Sequence, residues 1–146
     1  MLDRPVLNLS TYFETHRSEY YARLQAVRER YELDEWVKFF AGGVEESALE
    51  TAARIKALIE IRERYRTEVS EFRSGLPYLI DAIFENPILT VAKVQARLNV
   101  SQPTASSLLK KAQQLGWLIP LARAGRGGKQ SWYAHEIWAA TTSEKP

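Results

Sequence analysis

The amino-acid sequence predicts a mainly α-helical protein in two parts, a helical hairpin over residues 1–74 and a smaller mixed domain over residues 75–146. Three observations carry that reading. Apolar residues recur at steps of three and four along residues 10–31 and again from Asp34 towards Phe72. Ser74-Gly75-Leu76-Pro77 then interrupts the pattern with strong breakers. Beyond the break the apolar runs shorten, and two of them flank the glycine-rich stretch Gly125-Arg126-Gly127-Gly128.

In the first part, Thr11 and Glu14 have the spacing of a capping box at the start of a helix. Phe13, His16, Tyr20, Leu24, Val27 and Tyr31 form its stripe. After a break at Glu32-Leu33, Asp34 is positioned to cap a second, longer helix. Its stripe is Trp36, Phe40, Val44, Ala48, Ala52, Ile55 and Ile59. Gly42-Gly43 weakens that helix by about 1 kcal/mol per glycine, and either bends it or lets another helix approach closely. Val37, Phe39, Leu49, Leu58 and Ile61 lie off the stripe, too wide an apolar face for a two-helix hairpin to cover. The expected remedies are packing on the second domain or self-association, so a homodimer through the hairpin is predicted.

In the second part, Leu76 to Phe84 reads as a helix with Leu79, Ile80 and Ile83 inward, ended by Asn86-Pro87. Thr90 can cap a helix through Leu98 that buries Val91, Val94 and Leu98. Asn99-Val100 is a tight turn, and Ser101 caps a third helix with Pro103 in its first turn, where the missing N–H costs nothing. Gly116 ends that helix. Trp117 to Arg123 and Lys129 to Ala134 read as a strand and its return around the glycine loop. Helix, helix, turn, helix, strand, basic loop, strand is the order of a winged helix-turn-helix with a small β-hairpin wing.

Composition narrows the chemistry. Apolar content of 45% and charged content of 26% are ordinary for a globular protein. The chain has no cysteine, which excludes disulfides, thiolate ligands and a cysteine nucleophile. No run approaches the roughly 18 apolar residues of a membrane span, and MLDRPVLNLS lacks a signal-peptide core. A cytoplasmic protein with no membrane partner is expected. His16 and His135 are far apart in sequence, so no metal site is expected. GRGGK lacks the GxxxxGK[ST] spacing and precedes a strand, so no nucleotide cofactor is expected either.

The net charge of +2 hides an asymmetry. Residues 1–85 hold 16 Asp and Glu against 12 Lys and Arg, a net of −4. From Asn86 to His135 there is no acid, while Lys93, Arg97, Lys110, Lys111, Arg123, Arg126 and Lys129 give +7. Fifty residues of basic surface without a carboxylate point to a polyanion, and the fold class points to double-stranded DNA. The helix that opens SQPTASSLLKK has a start built of short hydroxyls and an amide. Such residues suit a helix N-terminus pressed into a major groove. Gln102 has the donor and acceptor for adenine. Ser101, Thr104, Ser106 and Ser107 can reach phosphates or bases, and Lys110 and Lys111 can anchor the backbone. Arg123, Arg126 and Lys129 place charge on the wing. The same Ser and Thr residues also serve as ordinary helix caps, and winged helices also bind proteins. Trp117, Trp132, Tyr133 and Trp138 read as the core of the small sheet rather than as stacking platforms.

Residues 5–72 carry specific tokens: P-x-L-x-L-S-x-Y-F from Pro5, R-x-E-Y-Y-x-R-L-Q-x-V-R from Arg17, and W-V-K-F-F-x-x-G-V from Trp36. They resemble the part of Fic family proteins that follows the catalytic loop, and a C-terminal winged helix is what long Fic proteins carry. The resemblance implies an enzyme class that transfers AMP from ATP to hydroxyl side chains. Its motif, H-P-F-x-[DE]-G-N-G-R, is absent from this chain, so no catalytic residue carries over and no enzyme activity of its own is expected. The alternative implied is a fragment of an AMP-transferase whose winged helix mediates protein contacts or regulates the active site.

Overall fold

A computed structural model describes residues 8–70, 75–121 and 129–142. Seven helices and three short strands run in the order α1 (Leu9–Thr15), α2 (Arg17–Arg30), α3 (Leu33–Glu68), α4 (Leu76–Glu85), β1 (Ile88–Thr90), α5 (Val91–Leu98), α6 (Gln102–Gln114), β2 (Ile119–Pro120), β3 (Ser131–Tyr133) and α7 (His135–Thr141). The fold is mainly helical with one small antiparallel sheet. Two compact units divide within α3, between Lys56 and Ala57, ahead of the break that the sequence offers at Ser74-Gly75. The end of α3 belongs with the second unit because Tyr65, and Val69 just beyond the helix, are part of that unit's core.

The helix boundaries of the first unit depart from the sequence reading in three places. The helix expected over 10–31 is two helices hinged at His16 (φ −102°, ψ 33°), whose ring Nδ1 lies 3.0 Å from the Tyr12 carbonyl. The Thr11/Glu14 capping box does not form, since α1 starts earlier, at Leu9, and places Thr11 inside its first turn. Likewise Asp34 lies within the first turn of α3, where its charge complements the helix N-terminus without capping it.

The buried line of α3 is displaced from the expected stripe by one position. Phe39, Gly43 and Ser47 are buried, whereas Phe40 is 41% exposed and Ile55 45% exposed. Gly43 explains the displacement. A Cβ there would stand 2.6 Å from the Tyr12 ring, so glycine is what lets α1 lie against α3. Aromatic rings fill the seam on either side, with Tyr12 and Phe13 both against Phe39 and Tyr20 edge-on to Trp36. Arg23 joins α2 to α3 by bonding Glu19 and Glu35 at 3.1 and 3.0 Å.

The second unit closes a full core. Leu79, Ile80 and Ile83 of α4 are inward as the periodicity predicts, against Val94 of α5 and Leu109 and Ala112 of α6. Caps and turns also follow the sequence. The Thr90 hydroxyl accepts the Lys93 amide at 3.3 Å, Asn99 turns the chain with φ +51°, and the Ser101 hydroxyl accepts the Thr104 amide at 3.4 Å. Gly116 takes the left-handed conformation (φ +80°) after α6, with the Gly116 N–H bonded back to Gln113.

The sheet has the order β1-β3-β2, with Ile88 opposite Tyr133, Leu89 opposite Trp132 and Ile119 opposite Tyr133. Two elements are additions to the sequence reading, β1 and α7. Strand β2 starts later than expected, at Ile119 rather than Trp117, because Trp117 and Leu118 turn into the core at 1% exposure each, and the expected end at Arg123 lies outside the described residues. Trp132 is in the core as expected, whereas Trp138 on α7 is only half-buried.

The end of α3 is tied into this unit by its side chains. Tyr65 stacks on Trp117 at 4.5 Å and 12° between planes. The Tyr65 hydroxyl and Arg64 both donate to Glu136 on α7, at 2.8 and 2.6 Å, and the Trp117 indole donates to Glu68 at 2.6 Å. Burial pushes the Tyr65 hydroxyl well above its ordinary range, and the Glu136 carboxylate beside it adds to the effect. Burial alone would raise the Glu136 carboxyl, but the bonds from Tyr65 and Arg64 outweigh it and hold it below its usual value.

Candidate nucleic-acid interface

Helix α6 is two-sided. Ala105, Leu108, Leu109 and Ala112 are buried, while Gln102, Thr104, Ser107 and Lys110 are exposed and Ser106 and Lys111 are half-buried. The polar residues form one broad arc with two edges. At about 100° per residue, Gln102, Gln113 and Ser106 lie towards one edge and Lys110, Gln114 and Ser107 across the middle. Thr104 and Lys111 sit on the opposite edge, next to Leu98 and Val100 in the case of Thr104.

The hydroxyls at the helix start are partly occupied. Ser101 caps α6, and its Oγ lies 2.9 Å from Thr104 Oγ1. These two side chains therefore rigidify the turn before they can meet a ligand. Gln102, Ser107 and Lys110 make no hydrogen bond or ion pair among the described residues.

A groove of about 600 Å³ lies beside α6, lined by Val91, Ser106, Lys110, Gln113, Gln114, Pro120, Gln130 and Trp132. Its wall is held in place from both sides. The Trp132 indole donates to Gln113 Oε1 at 2.9 Å, and the Gln130 amide donates to the carbonyls of Leu121 and Ser131, each at 2.9 Å. Gln113, Gln114 and Gln130 were not among the sequence-predicted site residues. The signal for the first two was present: Gln113 is seven residues after Ser106, and Gln114 four after Lys110, on one helix face. Gln130 depends on strand pairing, which the sequence does not display.

The acid-free segment is less uniformly basic than it reads. Arg97 forms a two-pronged pair with Glu85, which sits one residue outside that segment. The Arg97 guanidinium holds the Glu85 carboxyl below its usual range. Lys93 donates to the Ile88 carbonyl at 2.9 Å. Of that segment's described cations, Lys110 and Lys129 are the exposed ones whose side chains make neither an ion pair nor a hydrogen bond among the described residues. Arg123 and Arg126 lie outside the described residues.

No group of three or more His, Asp or Glu able to hold a metal occurs among the described residues, and no helix there is long and apolar enough to cross a membrane. No protein-family model matches the chain.

Proposed function

We propose that residues 75–146 form a winged helix-turn-helix that binds double-stranded DNA, with α6 entering the major groove and the β2–β3 connection lying along the neighbouring backbone. The observation that carries this reading is the exposed face of α6. It presents an amide, two hydroxyls and the free Lys110 ammonium, with no carboxylate on the helix, beside a groove in which Gln113 and Gln130 are already fixed by hydrogen bonds. Such a face offers hydrogen bonds to base edges and a charge to phosphate without the cost of stripping away an acid. The α6 N-terminus adds partial positive charge towards phosphate. Lys129 and the two arginines of the wing would extend the contact to a second stretch of backbone.

The hairpin tokens resemble Fic proteins, and on that resemblance such a module would accompany an AMP-transferase core, so an autoregulatory or transcriptional role is the function proposed. The chain alone lacks the residues for the transfer. Fluorescence anisotropy against mixed-sequence duplexes tests the reading. Affinity should fall steeply as salt rises, with a log–log slope of about −0.9 for each phosphate contacted. An absence of binding at low salt, with protein capture retained, would favour a protein-docking role for the same face.

A further inference from the structure

The first unit leaves a second apolar line on α3. At about 100° per residue, Val37, Val44, Ala48 and Ile55 line up roughly a quarter-turn or more around the helix from the buried Phe39, Gly43 and Ser47. Phe40 and Ala52 flank that line on opposite sides. Val37 is 53% exposed, and Ala48 and Ala52 are also exposed.

The spacing of this line is palindromic. Val37 and Ile55, Phe40 and Ala52, and Val44 and Ala48 lie at equal distances on either side of Glu46. Two copies of α3 laid antiparallel about an axis at Glu46 would therefore set Val37 against Ile55 and Val44 against Ala48, apolar to apolar along the central line. Val44 would meet the smaller Ala48, a large-to-small pairing that lets two helices approach closely, while Phe40 of both copies lies on one flank of the contact and Ala52 of both on the other. Such self-matching is what a two-fold interface requires.

The charges on one flank agree with that register. In the antiparallel pair Asp34 would come within two positions of Lys56 of the other copy, and Lys56 of Asp34, giving two symmetric opposite-charge contacts. Neither residue has an ion pair among the described residues. Glu45 would lie near its own copy across the axis, a repulsion that salt screens.

We infer that α3 mediates a two-fold antiparallel dimer of this chain, in the register that sets Val37 of one copy against Ile55 of the other. A stripe of 19 residues spans only about 28 Å at 1.5 Å per residue, which puts the contact at the small end of specific interfaces. Dissociation in the micromolar range is expected. The inference is independent of DNA binding.

The absence of cysteine gives a clean test. Val37→Cys and Ile55→Cys chains are purified separately, mixed at about 100 μM and oxidised mildly. In the proposed register a mixed pair cross-links, whereas neither variant cross-links with itself, because like positions lie about 27 Å apart along the axis. Sedimentation of the unmodified chain should show a concentration-dependent monomer–dimer equilibrium, weakened by Lys56→Glu and recovered when Asp34→Lys is added to it. Self-linking of Val37→Cys would establish a parallel pair and overturn the inference. So would a chain that stays monomeric and unlinked at this concentration, an outcome that assigns the stripe to a different partner.

Discussion

The two units bury their side chains in different ways. In the second, 17 buried residues form one continuous cluster from Tyr65 to Ile137. In the first, Ala26 and Phe39 are the buried apolar side chains among the described residues, and the rest of the seam consists of half-buried rings. The difference follows from layer count. Helices α4, α5 and α6 meet around a common centre and the sheet closes it, so each contributes a face that is covered on all sides. Helices α1 and α2 cover only one side of α3, and large aromatics compensate by making edge and tilted ring contacts over a shallow seam. A chain can therefore read as equally apolar in both halves while only one half has a deep core.

The largest expected effect tests that contrast directly. Leu109→Ala in the second unit should cost about 2–5 kcal/mol in urea unfolding, the range for a fully buried leucine. Leu24→Ala, at a half-buried position in the first unit, should cost well under half as much. Equal costs would show that the first unit is as deeply cored as the second.

Adjacent glycines sharpen the account of the shallow seam. Gly43→Ala puts a methyl against the Tyr12 ring and should destabilise the first unit by about 1–3 kcal/mol, as overpacking does. Gly42→Ala meets only the Tyr12 hydroxyl, at 4.0 Å, and should gain up to about 1 kcal/mol of helix propensity. Opposite signs at neighbouring positions, read by thermal unfolding, would establish close approach at Gly43. Two stabilising outcomes would remove it.

The same contrast governs what the sequence revealed. The second unit was legible where local chemistry dictates structure: Thr90 and Ser101 as caps, Asn99 as a left-handed turn, Pro103 in a first turn and Gly116 as a stop. It was not legible where three residues become a strand only by pairing, as at Ile88–Thr90, or where a helix begins without a capping side chain, as α7 does after Ala134. In the first unit, α3 is apolar on more than one face, so periodicity favoured Phe40 over Phe39. The choice between them was made by a small residue, Gly43, accepting Tyr12, a contact with no periodic signature. The candidate interface was visible as residue types on α6. Its division into two edges, and the neutralisation of Arg97 by Glu85, needed the fold.

Within the second unit, two substitutions on α6 separate charge from readout. Lys110→Ala should weaken binding to all duplexes alike and reduce the salt slope by about one contact. Gln102→Ala should cost about 1–3 kcal/mol on a preferred site selected from random DNA and little elsewhere. If a selected site keeps its full preference without the Gln102 amide, α6 reads the groove with another edge.

A smaller effect is expected from pH, and it concerns the ties of α3 to α7. The Glu136 carboxyl is held below its ordinary 4.5, so its contribution is complete above that value and disappears as pH falls through its lower folded value. Tyr65 is raised above its ordinary 10.0, so its contribution is complete below pH 10 and disappears as pH rises through the folded value. Denaturation profiles of Glu136→Gln should flatten on the acid side, and those of Tyr65→Phe on the alkaline side. Profiles parallel to that of the unmodified chain would show that these bonds do not report on folding.

The smallest effect expected is none at all, in AMP transfer by the isolated chain. Of its two imidazoles, that of His16 is engaged in structure. His16 lies at the α1–α2 hinge with its ring 4.3 Å from that of Tyr12 and Nδ1 at the Tyr12 carbonyl. His135 opens α7 with its Nδ1 buried and without a hydrogen-bond partner. A catalytic base needs a ring nitrogen within hydrogen-bond reach of the proton it removes, and a triphosphate needs convergent N–H groups or cations beside it. Neither histidine adjoins a glycine-rich phosphate turn in sequence. Incubation with radiolabelled ATP and a hydroxyl-bearing protein should leave the target unlabelled, and His135→Ala should change nothing. Label that appears with the unmodified chain and disappears with His135→Ala would place a reacting group in the second unit and overturn its reading as a binding module.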